Sequence, residues 1–584
     1  MSDRTPTPHI DLIWDQTIKI DRWHRLWIEH LQAQIGLNPR HPANRHQTNG
    51  YPDLEHYRKA ASAYRDQYGQ LPAWGDRHAA AEQVTRHDLA AALEVFNSYA
   101  RVDTAHLGLT SHDIVDVATQ MAISESLSWV ILHASDTAHA LAKVMELHRN
   151  QPLVARTHGQ PAQLSTYGHR IATVLSPLLD WIDRARDALD GYPMRPPHGA
   201  VGTGADLLRV LTGWTKPAQL LDGLHNCAEK HGGLIGSAAD TERCGCTRKA
   251  PGRHPGATGS DSDPSAGITS PTTQVEAFKK LWKGRQPEMV CTRCGAEYYQ
   301  ADEHSCDPDT SVSLANGRET FEAGPEAAMA FMDVYTTQIA ARLGFLETMD
   351  VTRQTYHRSY DLHIAGLLTE LASIAQTWAN DRRLEAFQGL GWEGSDQGQI
   401  GSSAMAHKTN PVLSERIVAL TIVTRGYLMT AADLAGQEWL EGDVSGSAAR
   451  RQWLPGIFRN IAEILINWAD ADWRWVVDGH KMAMEVDQFQ LELSTGAVLQ
   501  HLVERGHSRD EAHWAIREAL GGVAPGHSAA KKAHFRGRLR EMIGGGHGSG
   551  ILLREVMDRA VRLPVGTVDQ QIDRLLARAE RLGQ

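Results

Sequence analysis

Residues 111–148, SHDIVDVATQMAISESLSWVILHASDTAHALAKVMELH, carry Val115, Ala118, Ala122, Leu127, Val130, Ile131 and Leu141 at mostly three- and four-residue steps, with neither Pro nor Gly inside. That spacing lays the apolar side chains along one stripe of an α-helix, and the lack of breakers predicts a single long helix. Similar runs over residues 161–190, 326–346, 360–387 and 415–439 predict further long helices, whereas alternating strand-like patterns are scarce. The fold class is all-α. Helices of about 25 residues with few breakers suit a long central bundle whose partner helices come partly from other subunits, so oligomerisation is expected.

The chain has 584 residues, room for two to four domain-sized units, and its 42% hydrophobic and 22% charged content is that of a globular protein. A formal charge of −11 argues against binding duplex nucleic acid through bulk electrostatics. No run of eighteen uncharged apolar residues occurs, and the start MSDRTPTPHIDLIW lacks the basic and apolar regions of a secretory signal. The expectation is a cytoplasmic protein with neither membrane nor nucleic acid as partner.

All six cysteines, Cys227, Cys244, Cys246, Cys291, Cys294 and Cys306, fall within an 80-residue window. The same window holds the clearest low-complexity stretch: over residues 251–271, 12 of 21 residues are Gly, Ser or Pro. Residues 225–325 therefore read as an insertion with a flexible linker. In a cytosolic chain clustered cysteines suit metal ligation better than disulfides. Cys291-x-x-Cys294 forms half of a tetrahedral zinc site, which either Cys244-x-Cys246 or His304-x-Cys306 would close. The choice between them stays open, as does a reduced loop without metal, and any zinc is read as structural.

Polar clusters stand where the long helices begin or end. In TRHDLAA (residues 85–91), Thr85 or Asp88 suits a helix cap, and in HLGLTSHDIVD (106–116) Thr110 stands at capping-box distance from Asp113. Capping leaves His106 and Ser111 without a local role. RTHGQPA (156–162) combines His158 with Gly159 and Pro161, the composition of a turn. QIGSSAMAHKTNPVLSER (399–416) gathers Gly401, paired serines, Lys408, Asn410 and Pro411 ahead of a helix, the vocabulary of an anion-binding loop. DVSGSAARR (443–451), with Ser445, Ser447, Arg450 and Arg451, reads on its own as a solvated helix end.

Together these clusters resemble the fumarase/aspartase superfamily, whose signature loop has the form G-S-S-x-M-x-x-K-x-N and stands here as GSSAMAHKTN, residues 401–410. TRHDLAA, HLGLTSHDIVD, RTHGQPA, RQTYHRS (353–359) and DVSGSAARR, in that order, narrow the resemblance to the adenylosuccinate lyase family. HLVERGHSRDEAHWAIREA (501–519) resembles that family's last helical domain. The likeness covers roughly residues 10–225 and 325–570 and leaves the insertion out. It implies three domains, residues 1–110, 111–450 and 451–584, with the central bundle assembled in a homotetramer whose active sites draw on three subunits.

The chemistry implied by the resemblance is β-elimination of fumarate from a succinylated purine nucleotide, with no catalytic cofactor. Ser402 matches the base that removes a proton beside a carboxylate, with Ser403 next to it. A serine needs a closed, water-free site with positive charge or amide dipoles nearby to act so. Lys408 and Asn410 suit stabilisation of the carbanion's charge. His158 matches the general acid toward the departing nitrogen, Glu415 the carboxylate that orients it, and His87 the second active-site histidine. His106 is the third. Thr110, Ser111 and Asn410 match ligands of the succinyl carboxylate; Arg86, Asp88, Gln354, Arg358, Arg416, Ser447 and Arg451 match nucleotide and phosphate ligands, for which arginine's donor fork is apt.

Ala155 and Ala406 replace the family's usual Gly and Pro, and the family's N-terminal Ser-Arg-Tyr phosphate segment is not recognisable. PHGAVGTGADL (197–207) retains a Gly-x-x-Gly-Thr segment through Gly199, Gly202 and Thr203. The mismatch on the phosphate side keeps argininosuccinate and 2-amino or deoxy analogues of adenylosuccinate open as substrates. A binding protein that keeps the lyase scaffold is the non-enzymatic alternative. The zinc expectation has its own test: elemental analysis should find stoichiometric zinc that disappears in the Cys291→Ser/Cys294→Ser protein, and retained metal would move the site elsewhere.

Overall fold

A computed structural model of the chain describes residues 7–37, 74–100, 103–212, 289–290, 297–298, 325–394, 405, 407–521, 529–543, 549–562 and 565–582. Helices α1 (Pro8–Ile13), α2 (Gln16–Leu37), α3 (Trp74–Thr85) and α4 (Asp88–Ala100) lead to the long helix α5 (Ser111–Leu147). A hairpin of β1 (Pro152–Thr157) and β2 (Gln160–Thr166) follows, then α6 (Tyr167–Asp190) and α7 (Ala205–Thr212). The short strands β3 (Met289–Val290) and β4 (Glu297–Tyr298) pair antiparallel. Next come α8 (Pro325–Leu343), α9 (Ser359–Gln388), β5 (Gly391–Glu393), α10 (Val412–Gly436), α11 (Ser447–Arg474) and β6 (Trp475–Val477), the last pairing with β5. The chain continues through α12 (Gly479–Gln488), α13 (Gln490–Glu504), α14 (Arg509–Leu520), α15 (Ala529–Ile543), α16 (Ser549–Arg559) and α17 (Val568–Arg581).

The predicted helix over residues 111–148 is α5, and it is buried around most of its circumference. Ile114, Met121, Leu127, Val130, Ala134 and Leu141 sit in the main core, each large aliphatic side chain contributing about 1.5–3 kcal/mol. Helices α5, α6, α9, α10 and α11 pack on one another as the bundle, with α2 against the first part of α5 and α17 against α6. Trp378 of α9 and Trp468 of α11 meet with ring centroids 5.8 Å apart, and the Trp181 indole donates to the Leu367 carbonyl at 2.8 Å. The all-α expectation holds.

Two expectations change. The helix predicted over residues 161–190 begins only at Tyr167, because residues 160–166 pair with β1. Gly168 lets this junction form: a Cβ there would lie 2.6 Å from the Met145 carbonyl oxygen at the end of α5. The division at residue 450 falls inside α11, a single helix whose buried residues Trp453, Phe458 and Ile461 belong to the main core. A separate second core, with Leu491, Leu502, Phe535, Leu539 and Met557, is built from α13 to α16.

Helix α5 is tied down at its first turn by Asp113. One carboxylate oxygen accepts from the Thr110 backbone amide at 2.6 Å, capping the helix, while the other pairs with Arg195; both side chains of that pair are fully buried. The Gly199 amide also donates to Asp113, at 3.3 Å. The terminal nitrogens of Arg195 also donate to the carbonyl oxygens of Gln354 (2.7 Å), Arg353 and Pro196, while its buried Nε has no partner among the described residues. Gly202, at φ +78°, completes the junction, since a Cβ there would overlap the Thr352 carbonyl oxygen at 1.9 Å. Arg195→Met would leave Asp113 as an uncompensated buried charge and should lower the unfolding free energy by about 3–5 kcal/mol in urea titrations followed by tryptophan fluorescence. A loss below about 1 kcal/mol would show that the pair does not hold this junction.

Candidate active site

The residues picked from the sequence fall into two groups, one at each end of the bundle. At the first end stand the starts of α4, α5, α9 and α11. His87 precedes α4, and its Nδ1 accepts from the Ala90 amide at 3.3 Å; Arg86 just before it adopts a left-handed φ of 55°. Asp88 lies 3.8 Å from Lys19 of α2, which also rests over the Trp23 ring at 4.6 Å. Burial lowers the Lys19 pKa; Asp88 opposes this, and the nearby charge of Arg451 adds to it. His106 precedes α5, where Thr110 and Ser111 form the N-terminus, both half-buried.

Asp116, one turn further along α5 and fully buried, organises the arginines. Its oxygens receive both terminal nitrogens of Arg358, at 3.1 and 3.4 Å. Arg450 Nη1 lies 3.5 Å away, and His112 Nδ1 stands 3.5 Å from the second oxygen. Burial alone would raise the Asp116 pKa; Arg358, His112 and Arg450 overcome it and hold the carboxyl well below the usual carboxylate range. Arg450 also donates to Asp361 at 2.6 Å and to the Tyr356 hydroxyl, which itself donates to Asp361 at 2.5 Å. Arg450 is therefore a buried framework residue and not part of a solvated helix end. Gln354 is held through its backbone, its amide donating to Glu441 and its carbonyl accepting from Arg195, both at 2.7 Å. Ser447 opens α11, and Arg451 lies exposed one turn on.

The second group stands at the other end. Lys408 and Asn410 lead into α10, and Glu415 and Arg416 lie in its first turn. Glu393 of β5 anchors this start by accepting from the Leu413 amide at 3.1 Å; burial raises the Glu393 pKa, and the amides of Leu413 and Ser414 oppose that rise. His158 occupies the tip of the β1–β2 hairpin with φ 50°, followed by Gly159 with φ 75°, the left-handed pair that closes a two-residue hairpin turn. The imidazole is exposed there, and among the described residues it has no hydrogen-bond or ionic partner; the side chains of Lys408 and Glu415 are likewise exposed without one. The turn expected for RTHGQPA is present, flanked by strands that the sequence pattern did not reveal.

Helix α10 measures the separation. Its C-terminal end meets the first group, since Glu438 accepts from the Arg358 amide at 2.9 Å, and its N-terminal end carries the second. With 25 residues it spans about 37 Å, so one chain holds the two groups apart by roughly that distance. Two outer grooves, lined by α6 and α9 (≈ 260 Å³) and by α6 and α17 (≈ 350 Å³), contain none of the candidate residues.

Ser402 and Ser403 lie outside the described residues, as do all the candidate zinc ligands, Cys244, Cys246, Cys291, Cys294, His304 and Cys306. Among the described residues no group of three or more His, Cys, Asp or Glu is placed to hold a metal ion. The pattern reading missed Lys19, Trp27, Asp116, Arg195, Tyr356 and Asp361. Asp116 carried a usable signal, three residues beyond Asp113 on a helix otherwise apolar at that point; Arg195, in YPMRPP, carried none.

Comparison with known proteins agrees with this architecture. Residues 73–210 match the family model described as lyase. The adenylosuccinate lyase of Saccharomyces cerevisiae is 24% identical over 440 residues, covering 75% of this chain and 68% of that protein. The adenylosuccinate lyase of Synechocystis is 23% identical over 521 residues, covering 88% and 87%. Among solved structures, a fumarate lyase from Mesorhizobium superposes with a TM-score of 0.62 at 16% identity, covering 97% of each chain. A 3-carboxy-cis,cis-muconate lactonizing enzyme from Pseudomonas putida gives 0.61 at 17% identity, covering 99% of this chain and 98% of the other; these two show likeness of fold.

The helical bundle has the fold of a solved fumarate lyase, and the lyase model matched over residues 73–210 makes the chain similar to lyases of the fumarase/aspartase superfamily. The curated relatives it is similar to are adenylosuccinate lyases, and together with the matched lyase model they support a carbon–nitrogen lyase.

The Asp116 cluster sets a pH dependence. A carboxyl held below its unfolded value stabilises the fold fully above the ordinary aspartate pKa of about 3.9, and this contribution disappears as pH falls below that value. Asp116→Asn should therefore lower the melting temperature at pH 7, and the difference from wild type should shrink below about pH 4. An equal difference at both pH values would remove Asp116 from this role.

Proposed function

We propose that the protein releases fumarate from a succinylated purine nucleotide, splitting adenylosuccinate into AMP and fumarate and acting also on the succinylated imidazole-carboxamide ribotide. The active sites in this reading are completed between subunits of a homotetramer. The observation that carries it is the separation along α10. The nucleotide-side candidates and the elimination-side candidates stand about 37 Å apart in one chain, yet the chemistry needs them around one substrate. Antiparallel packing of bundles brings one chain's first end to another's second end.

The surface of α10 supports that arrangement. The helix is long and apolar enough to cross a membrane, with a mean hydropathy of 1.4, but only 22% of that window is buried within the chain. Ile422 (62% exposed), Met429 (63%) and Val423 lie open. Exposed apolar surface of this kind marks an association face, and a partner's bundle is its occupant here.

Within the assembled site each side chain has a task. Ser402 takes the proton beside the carboxylate. Lys408, Asn410 and the positive N-terminal end of α10 stabilise the negative charge that develops there. His158, oriented by Glu415, protonates the departing nitrogen. Arg358 and Arg451 bind the phosphate side; Arg358 is held in place by Asp116. Zinc in the insertion, where present, is structural and takes no part in the elimination.

Fumarate release from adenylosuccinate, measured beside argininosuccinate and the 2-amino-deoxy analogue, tests the substrate class. Release from a purine substrate supports the lyase and ranks its base preference. No fumarate from any of them, with a folded tetramer, favours a binding protein on a lyase scaffold. Ser402→Ala and His158→Ala should each reduce turnover by at least about 10³-fold without unfolding the chain. Mixed tetramers refolded from His158→Ala and His87→Ala proteins, one variant from each end of the bundle, should regain part of the activity, because some sites would then combine two intact halves; no recovery would place both ends of one chain in the same site.

A further inference from the structure

The loop ahead of α5 is pinned from α2. Gln34 donates from its amide to the Leu107 carbonyl at 3.1 Å, and Gly108, at φ +76°, packs so close to α7 that a Cβ would come within 2.9 Å of the Leu207 Cα. Between these anchors the Trp27 indole Nε1–H points at His106 Nδ1 at 3.1 Å, the two rings nearly perpendicular. Trp27 is fully buried and wedged against Phe96 and His24, at centroid distances of 5.4 and 5.9 Å, so its indole is not free to turn away.

An indole nitrogen only donates, and an imidazole nitrogen can accept only when it carries no proton. The contact therefore specifies the state of the ring: Nδ1 bare, the proton on Nε2, the imidazole neutral. We propose that Trp27 is a positioning residue that fixes His106 as the neutral Nε2–H tautomer, so that His106 meets the substrate as a hydrogen-bond donor and not as a carrier of protons. This rests on the reading above for the statement that His106 faces substrate, and it adds what the residue does there. His106 Nε2 has no partner among the described residues, which leaves its N–H for a ligand acceptor.

The surroundings agree. The titratable groups facing His106 are His30 on α2, His87 ahead of α4 and Asp113 on α5. Burial lowers its pKa below the ordinary imidazole value; Asp113 opposes this and His87 adds to it. Asp113, the one group that would draw a proton onto the ring, is already engaged by Arg195 and by the Thr110 amide. Proton transfer in the elimination thus falls to other side chains, while His106 keeps one hydrogen-bonding state across the working pH range.

The test is the pH dependence of hydrogen–deuterium exchange at the imidazole C2 position, read residue by residue by mass spectrometry on the wild type and on Trp27→Phe, without substrate. In the wild type His106 should titrate below about 6.5. In Trp27→Phe, which keeps the apolar surroundings and removes the donor, its midpoint should rise by about one unit, tenfold in the protonation equilibrium, while His87 should not move. An unchanged midpoint in the folded variant overturns the proposal, as does a wild-type midpoint at or above the ordinary value. Should Trp27→Phe fail to fold, a neutron structure of the wild type decides: a proton on Nε2 alone supports the assignment, and one on Nδ1 overturns it. Neither measurement depends on turnover, so failure here and failure of the lyase reading are separable.

Discussion

The buried pair of Asp113 and Arg195 is the contact on which the first end of the bundle depends. A carboxylate and a guanidinium withdrawn from water offset their desolvation cost when most of their remaining hydrogen-bonding capacity is filled. Here Asp113 also accepts from the Thr110 and Gly199 amides, and the terminal nitrogens of Arg195 donate to carbonyl oxygens around residue 354, which leaves only its Nε without a partner among the described residues. One ion pair thereby joins the start of α5, the glycine turn at residues 199–204 and the segment leading into α9. His106, Thr110, Ser111 and Gln354 all hang from these pieces.

A second layer of charge lies one helical turn away. Asp116 and Asp361 together hold Arg358 and Arg450, with Tyr356 between the two guanidiniums at 4.5 and 5.3 Å from its ring centroid. Such a network is rigid because every removal leaves a charge stranded, and rigidity is what an anion-binding arginine needs in order to meet its ligand without reorganising. Lys19 and Arg451 stand at its exposed side. The opposite end of the molecule is built otherwise: His158, Lys408 and Glu415 project from a hairpin tip and a helix start with no partner among the described residues. One end is preassembled and the other is presented, which suits a site closed by bringing two chains together.

Much of this was legible in the residues. The three- and four-residue spacing over residues 111–148 identified α5, because a helix buried on nearly every side still shows its apolar stripe. TSHD identified its cap. The hairpin was not legible, because RTHGQPA reads as a turn and the strands beside it draw their pairing from register with each other. Arg450 was misjudged for a related reason: in DVSGSAARR two adjacent arginines look alike, and only helix geometry turns one into the bundle toward Asp361 while leaving its neighbour in solvent.

By itself, then, the sequence determined the all-α class, the long helices, the order of the lyase motifs and the clustering of all six cysteines in one window, since each is a matter of local spacing and composition. Tertiary structure alone decided which charges neutralise one another and which remain for a ligand. Asp113 meets Arg195 across 82 residues, and Asp116 meets Arg358 across 242. It also decided that the motifs divide between two ends of a bundle about 37 Å apart, and that the His106 ring takes its proton state from Trp27, 79 residues away in the chain. The physical reason is that ion pairs and tautomers are set by distance in space, which a linear pattern does not contain until the helices have packed.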